Sequence, residues 1–284
     1  MHHDAVFEFR TALPYSSMQL AQILSHCFEN YIVPFVIDGE TFSSRFAAED
    51  LSLNNSIIVT HQQHPVAMAL IARRGQHSRV AALSIRPEMR GKGLGKALMQ
   101  RIIKDASARG DRRLSLEVIE GNQAALALYQ QAGLRIARTL LGFHAPLPLP
   151  ARTEVLQETD PLLLAQQMTA ENQRDLPWLI ATESLYKLPG SPRALTLDGQ
   201  AFALVIPGAR QCQLRMIYVP PTLRGQGHAR RLLEAVRLKF APLALLANVF
   251  VPDSLAPFFH HLGWREEPLR QFEMTMALDP VTTD

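Results

Sequence analysis

The sequence predicts an α+β protein built as two tandem domains, and three observations point there. The chain has 284 residues, too many for one typical domain and enough for two of about 100–150 residues each. Residues 143–154, FHAPLPLPARTE, gather Pro146, Pro148 and Pro150, which favour extended backbone and interrupt helices. The same order of strand and helix patterns then runs on both sides of that stretch. The expected division is a first domain over 1–145, a Pro-rich linker over 146–154, and a second domain over 155–284.

The elements of the first half follow from periodicity. FEFRTA (7–12) reads as a strand, and SMQLAQILSHCFENY (17–31) as a helix with Leu20, Ile23, Leu24 and Cys27 on one face. ETFSSRFAAEDL (40–51) is a second helix. SIIVTHQ, PVAMALIARRG and RVAALSIRP form three successive strands, with residues 62–64 and 75–77 as turns. GLGKALMQRIIKDASARG is a helix with Leu94, Leu98 and Ile102 at four-residue steps and Gly110 as its stop. RRLSLEVIE is a strand, NQAALALYQQAG a helix opened by Asn122 and closed by Gly133, and LRIARTLLGF a last strand.

The second half repeats this order. TEVLQE leads to a helical stretch from Pro161, followed by the strands ALTL, AFALVIP and CQLRMIYVPP. RGQGHARRLLEAVRLKF is a helix, LALLANVFV a strand, SLAPFFHHLG a short helix and LRQFEMTMAL a closing strand.

Composition excludes several function classes. A chain that is 47% hydrophobic and 19% charged can fill a core. A net charge of +3, with no extended basic surface interleaved with aromatics, argues against nucleic-acid binding. The opening MHHDAVFEFR has no apolar signal core, and no run approaches the roughly 18 apolar residues of a membrane helix. A cytoplasmic protein without a membrane role is expected. Cys27 and Cys212 read as reduced thiols, and the ten histidines make no metal-spaced cluster with them, so no metal is expected. Oligomeric state is not legible.

Two stretches share one rhythm: RPEMRGKGLGKAL at 86–98 and PPTLRGQGHARRL at 220–232. A glycine-rich turn into a helix leaves backbone N–H groups pointing outward, and the helix dipole adds positive charge. An anion such as phosphate is the natural guest. Gly95-Lys96 is followed by Ala97, so the hydroxyl of a P-loop is missing, and G-x-G-x-G lacks the spacing of the dinucleotide fingerprint.

Residues further on make the pattern specific. Arg90-x-x-Gly93-x-Gly95 is joined by LEVIEGNQAALALYQQAGL at 116–134, a strand followed by N-x-x-A-x-x-x-Y-x-x-x-G. This resembles the GCN5-related N-acetyltransferase superfamily, most closely over 80–143 and more faintly over 155–280. The resemblance implies two domains, each a mixed, mostly antiparallel central sheet flanked by helices. It implies acetyl-coenzyme A as co-substrate, with its pyrophosphate on the backbone of Gly91, Lys92, Gly93, Leu94, Gly95 and Lys96, around which Arg90, Lys92 and Lys96 would add positive charge. Leu83, Ser84 and Ile85, with Asn122, would meet the pantetheine arm, although Asn122 also reads as a helix N-cap.

Direct attack of an amine on a thioester needs a base for the amine proton and an acid for the departing thiolate. By the same resemblance Glu117 is the base and Tyr129 the acid. A solvated strand glutamate and a core tyrosine are the plainer readings of those two residues. The acceptor, a small-molecule or peptide amine, would meet 28–40, where Tyr31, Phe35 and Phe42 could form a wall and Glu29, Asp38 and Glu40 attract a cation.

The second copy keeps Arg224, Gly225, Gln226, Gly227, His228 and Ala229 as a possible second coenzyme loop. Aligning Gly263 with Gly133 sets Phe259 against Tyr129, Pro252 against Asn122 and Ala247 against Glu117; a slip of one or two residues is allowed, and Asp253 or Asn248 could then compensate. No tyrosine follows Tyr218, so the acid is missing there. The expectation is a catalytic first domain and a degenerate second one. A silent acyl-coenzyme A sensor of the same fold is the alternative.

Overall fold

A computed structural model describes residues 7–29, 31–146, 154–171 and 175–279. Residues 147–153 of the expected linker lie outside these. The chain forms two compact units, Met1–Ala137 with Phe272–Asp284, and Arg138–Gln271.

The first unit contains β1 (Phe7–Thr11), α1 (Ser17–Cys27), α2 (Gly39–Ala48), β2 (Ile57–His61), β3 (His64–Arg74), β4 (His77–Ile85), α3 (Leu94–Ala108), β5 (Arg113–Ile119) and α4 (Gln123–Gln131). Its sheet runs β1-β2-β3-β4-β5. The pairs from β1 to β4 are antiparallel, and β4 with β5 is parallel. Helices cover both faces. On one, Leu98, Met99 and Ile102 of α3 pack with Leu114, Leu116 and Val118 of β5. On the other, Leu20 and Leu24 of α1 and Phe46 of α2 pack on Ile58, Met68 and Leu70. Alternation along β5 therefore sends its leucines to α3 and leaves Ser115 and Glu117 for the opposite face.

The second unit contains β7 (Gln157–Thr159), α5 (Pro161–Ala170), α6 (Thr182–Leu185), β8 (Arg193–Leu197), β9 (Ala201–Pro207), β10 (Gln211–Tyr218), α7 (His228–Phe240), β11 (Ala244–Pro252) and α8 (Ala256–His261). β10 and β11 are again the parallel pair in an otherwise antiparallel order.

The closing strands depart from the simple halves. β6 (Arg135–His144) follows the first half in sequence, yet its residues 140–144 pair with β11 inside the second unit. Phe143 stacks there on Phe259 at 4.6 Å. β12 (Arg265–Ala277) ends the second half, yet Met274 is fully buried in the core of the first unit. Leu278 N–H also donates to the Arg112 carbonyl there at 2.9 Å. Division by sequence repeat and division by compactness thus differ, because each unit's sheet takes its last strand from the other half of the sequence.

The parallel pairs are short. β4 meets β5 only from His77↔Arg113 to Val80↔Leu116, and β10 meets β11 only from Gln211↔Ala244 to Leu214↔Ala247. In each unit a bulge follows at once. The β3–β4 register slips between Leu70 and Ile71, leaving Ala81 unpaired. The β9–β10 register slips between Leu214 and Met216, with Arg215 as the bulged residue. A bulge bends and twists its strand, so β4 and β10 leave their parallel partners and open a fork.

At the closed end of the first fork His77 Nε2 lies 2.8 Å from Ser115 Oγ. Burial, with Arg113 and Arg74 nearby, lowers the imidazole pKa to about 4, below the unfolded value of about 6.5. Its contribution is therefore complete above about pH 6.5 and is lost as the pH falls towards about 4, because only the unfolded chain takes up the proton in that window. In His77→Gln, urea midpoints measured from pH 7 to 4 are expected to fall less steeply than in the parent chain.

Candidate active site

Between β4 and α3 the chain makes a single turn of 3₁₀ helix at Pro87–Met89 and then the glycine turn. Gly91 and Gly93 have φ of +75° and +77°, with nothing within 4 Å of an added Cβ. They serve the left-handed turn itself. Gly95 serves packing: a Cβ there would sit 3.1 Å from Leu128 Cδ2, so this glycine brings the start of α3 against α4. The first bond of α3 is Ala97 N–H to the Gly93 carbonyl at 3.1 Å. Among the described residues the N–H groups of 91–96 have no backbone acceptor. That is an anion cradle at the positive end of a 15-residue helix.

Arg90, expected among the coenzyme ligands, turns out to be an internal tie. Its Nε donates to the Ile85 carbonyl at 3.0 Å, and its Nη2 donates to the carbonyls of Cys27 and Glu29, each at 3.1 Å. The guanidinium thereby fixes the end of α1 to the end of β4. Lys92 and Lys96 are exposed beside the cradle. Leu94 buries its side chain in the core and offers only its N–H.

Leu83, Ser84 and Ile85 pair with Ala69, Met68 and Ala67 of β3, beyond the point where β5 has left. Asn122 caps α4 through its Oδ1, which accepts from Ala125 N–H at 3.2 Å. Its Nδ2 donates to the Tyr31 hydroxyl at 3.2 Å. The acceptor loop expected from sequence therefore reaches the N-terminus of α4. Tyr31 meets Phe28 edge-on at 4.7 Å, and Phe28 packs on Phe35 at 5.1 Å. Glu29 is exposed. Phe42 is not part of this wall: it is buried in the α1–α2 core. Asp38 caps α2, accepting from Thr41 N–H at 2.7 Å.

Tyr129, on α4 beside Leu128, is 7% exposed. Burial and the neighbouring Tyr31 raise its pKa above the usual phenol value, so its proton is present at neutral pH. Glu117 is not a solvated strand residue. Arg79 Nε donates to both of its oxygens at 3.1 and 2.8 Å, and Arg79 Nη2 lies 2.7 Å from Oε2. Arg79 Nη1 donates to Glu49 at 2.7 Å, and Arg45 pairs with the same carboxylate at 3.1 Å. Burial alone would favour neutral Arg79, but Glu117 and Glu49 outweigh it and hold the cation more firmly. Sequence reading missed this network, because no local pattern announces a buried arginine at the fork.

The acetyltransferase (GNAT) family model matches residues 18–134, which span every group just described. Over these residues the chain carries a GNAT acetyltransferase domain. GNAT folds extend over the rest of it. It is similar to a GCN5-related N-acetyltransferase from Sphaerobacter thermophilus at 19% identity and TM-score 0.66, covering 96% of each chain. It is also similar to a tandem GNAT protein of the clavulanic acid biosynthesis pathway at 15% identity and TM-score 0.62, covering 97% of this chain and 99% of that one. At such identities the likeness is one of fold.

The second GNAT-type unit repeats the geometry with different side chains. Trp264 N–H donates to the Phe259 carbonyl at 3.0 Å, as Leu134 N–H does to Tyr129 at 3.0 Å. The alignment of Phe259 with Tyr129 rests on that pair of bonds. The alignment of Ala247 with Glu117 needs correction. Strand register sets Leu246 and Ala247 level with Ser115 and Leu116, so Asn248 answers Glu117. In the same register Gln213 answers Arg79. Asn248 Nδ2 donates to Gln213 Oε1 at 3.2 Å. A buried ion pair in one unit is thus a neutral amide pair in the other, at one position of one fork.

Among the described residues no helix is long and apolar enough to cross a membrane, and no cluster of His, Cys, Asp or Glu could hold a metal. Gly95→Val is expected to push α3 from α4 and cost about 1–3 kcal/mol. Its denaturation midpoint, compared with that of Gly75→Val at an open turn where φ is +53° and nothing lies within 4 Å, separates close packing from turn strain.

Proposed function

We propose that the first unit transfers an acetyl group from acetyl-coenzyme A to a primary amine by direct attack. The observation that carries this reading is the contact at Gly95. It holds the amide cradle of 91–96 next to Leu128 of α4, and the next residue of that helix is the protonated Tyr129. Such a pairing suits a pyrophosphate-anchored thioester whose leaving sulfur needs a proton. The residues present fit that carrier: the cradle would take its diphosphate, 83–85 with Asn122 its pantetheine arm, and Tyr129 would protonate the thiolate.

Glu117 is the base in this proposal, with a second duty as partner of Arg79. It has about four lone-pair sites, and the bonds from Arg79 leave some free. The acceptor would approach over Tyr31 and Phe35, where the exposed Ile32, Val33 and Val36 lend apolar surface and Glu29 a negative charge. Small-molecule and peptide amines both suit such a wall. Two buried free thiols, Cys27 and Cys212, are in keeping with a cytoplasmic location. A silent acyl-coenzyme A sensor is less favoured, since Tyr129 and Glu117 together have no task in it.

Tyr129→Phe is expected to lower kcat about 10²-fold or more, within the range for general acids, in a thiol-release assay on an amine and peptide panel. With Tyr129 intact, the rate should not decline with rising pH before about pH 10, because the shift of this phenol is upward. Unchanged turnover in the phenylalanine variant removes Tyr129 from the mechanism.

The second unit supplies the control for Glu117. Arg79→Gln with Glu117→Asn installs the amide pair that the second fork already carries. If Glu117 is the base, this double variant, made in a Glu49→Gln background so that no carboxylate is left buried without Arg79, keeps its thermal midpoint better than Glu117→Gln alone and loses activity about 10²-fold. Full activity in the double variant reduces Glu117 to a strand clamp.

A further inference from the structure

Glu117 and Tyr129 are joined by a chain of contacts that runs round the acceptor loop of the first unit. From Glu117 it passes through Arg79 to Glu49, each step at 2.7 Å. Arg45 Nε then donates to Glu49 Oε1 at 3.1 Å. On its other side the Arg45 guanidinium lies over the Phe35 ring, 5.7 Å from its centre. Phe35 packs on Phe28 and Phe28 on Tyr31. The Tyr31 hydroxyl accepts from Asn122, which opens the helix that carries Tyr129. Arg45 is where the ionic half of this chain meets the aromatic half.

Burial along the ionic half is uneven. The side chains of Glu117, Arg79 and Glu49 are buried, whereas that of Arg45 is 43% exposed. One buried guanidinium thus faces two buried carboxylates, and a second cation reaches them from the surface. Burial works to protonate Glu49, but the charges of Arg79 first and Arg45 second outweigh it and hold the carboxyl below its usual range. The charged groups round about have partners of their own. Arg74 pairs with Asp50 at 2.7 Å and Arg113 with Glu273 at 3.9 Å. Asp111 pairs with Arg73 at 2.7 Å and with Arg109 at 3.0 Å. His77 bonds Ser115 and is uncharged at neutral pH.

We propose that Arg45 is a positioning residue for the transfer reaction. Its charge answers Glu49 and leaves the Nε–Nη2 edge of Arg79 to Glu117, while its flat face holds Phe35 and so fixes the acceptor loop. The inference rests on Glu117 as the base of the first unit and adds the group that couples this base to the acceptor wall. In Arg45→Gln the one remaining guanidinium serves two carboxylates, so Glu49 competes with Glu117 for it. The charge of Arg45 therefore stabilises the fold at neutral pH, and that contribution disappears as the pH falls through the carboxylate range, where Glu49 takes up a proton. A loss of packing alone is the same at every pH.

The test compares Arg45→Gln, Arg45→Lys and the double variant Arg45→Gln with Glu49→Gln. Each is measured for thermal stability and for its pH–rate profile with acetyl-coenzyme A and the best acceptor of the amine and peptide panel. Arg45→Gln should show a deficit in thermal midpoint at about pH 7.5 that is largely gone at about pH 4.5. The acid limb of its kcat/KM profile should move up by at least about half a pH unit, from the carboxylate charge left unanswered. Its KM for the amine should rise several-fold. The double variant removes one charge of each sign, so its acid limb should return to the parent position while its KM stays raised. Arg45→Lys keeps the charge and should keep the limb. A pH-independent deficit in Arg45→Gln overturns the proposal, and so does an unchanged KM. It is equally overturned by an acid limb that stays in place in a chain that Glu117→Gln inactivates. Turnover retained by Glu117→Gln, with the stability pattern intact, counts against the first-unit reading alone.

Discussion

Everything at the candidate site follows from β4 parting from β5 after four residue pairs. Two parallel strands in register leave no room for a ligand between them. A bulge at Ala81 ends the register and turns β4 away, and the freed strand end then leads directly into the turn that opens α3. Had pairing continued to Ile85, the amide cradle would face a closed sheet. The fork is kept from collapsing by charge. Arg79, on the last paired stretch, holds Glu117 across the strands and Glu49 at the end of α2. Removing one member of such a buried pair typically costs about 3–5 kcal/mol, because its partner is left charged without solvent.

The two units separate geometry from chemistry. Both have the four-pair register, the bulge one residue beyond it, the left-handed glycines and the helix that follows. Their side chains diverge at two points: Arg79 and Glu117 become Gln213 and Asn248, and Tyr129 becomes Phe259. A neutral amide pair joins two strands at far lower desolvation cost than an ion pair. The ionic version in the first unit is therefore more than the fork requires, which is why Glu117 is assigned a part in proton transfer. The second fork has Asn248 and Phe259 where the first has Glu117 and Tyr129, and apolar side chains line it.

Much of this was legible in the sequence, for physical reasons that differ from place to place. The turn at 91–95 stands out because left-handed backbone leaves a mark in glycine, and α3 and α4 stand out because a half-buried helix repeats its apolar residues. Phe259 was matched to Tyr129 because the glycine after each helix fixes the count. Asn248 was legible only as an alternative to Ala247, because Asn248 lies 11 residues before Phe259 whereas Glu117 lies 12 before Tyr129, and only strand pairing sets that register. The bulges at Ala81 and Arg215 leave no composition signal at all. Arg90 was misread for another reason: an arginine beside a phosphate-type turn looks like a ligand, and only tertiary structure reveals three carbonyls already claiming it. The closing strands β6 and β12 have ordinary strand patterns, and nothing local says which unit each completes.

The central claim is that the backbone amides of 91–96 and the strand end at 83–85 receive a thioester carrier in the first unit. Hydrogen–deuterium exchange of the full chain, with and without saturating acetyl-coenzyme A, tests it most directly. The account requires protection concentrated at 91–96 and 83–85, with the 28–38 loop changing only when an amine analogue is added. Unchanged exchange at 91–96, in protein that demonstrably binds or turns over acetyl-coenzyme A, contradicts it.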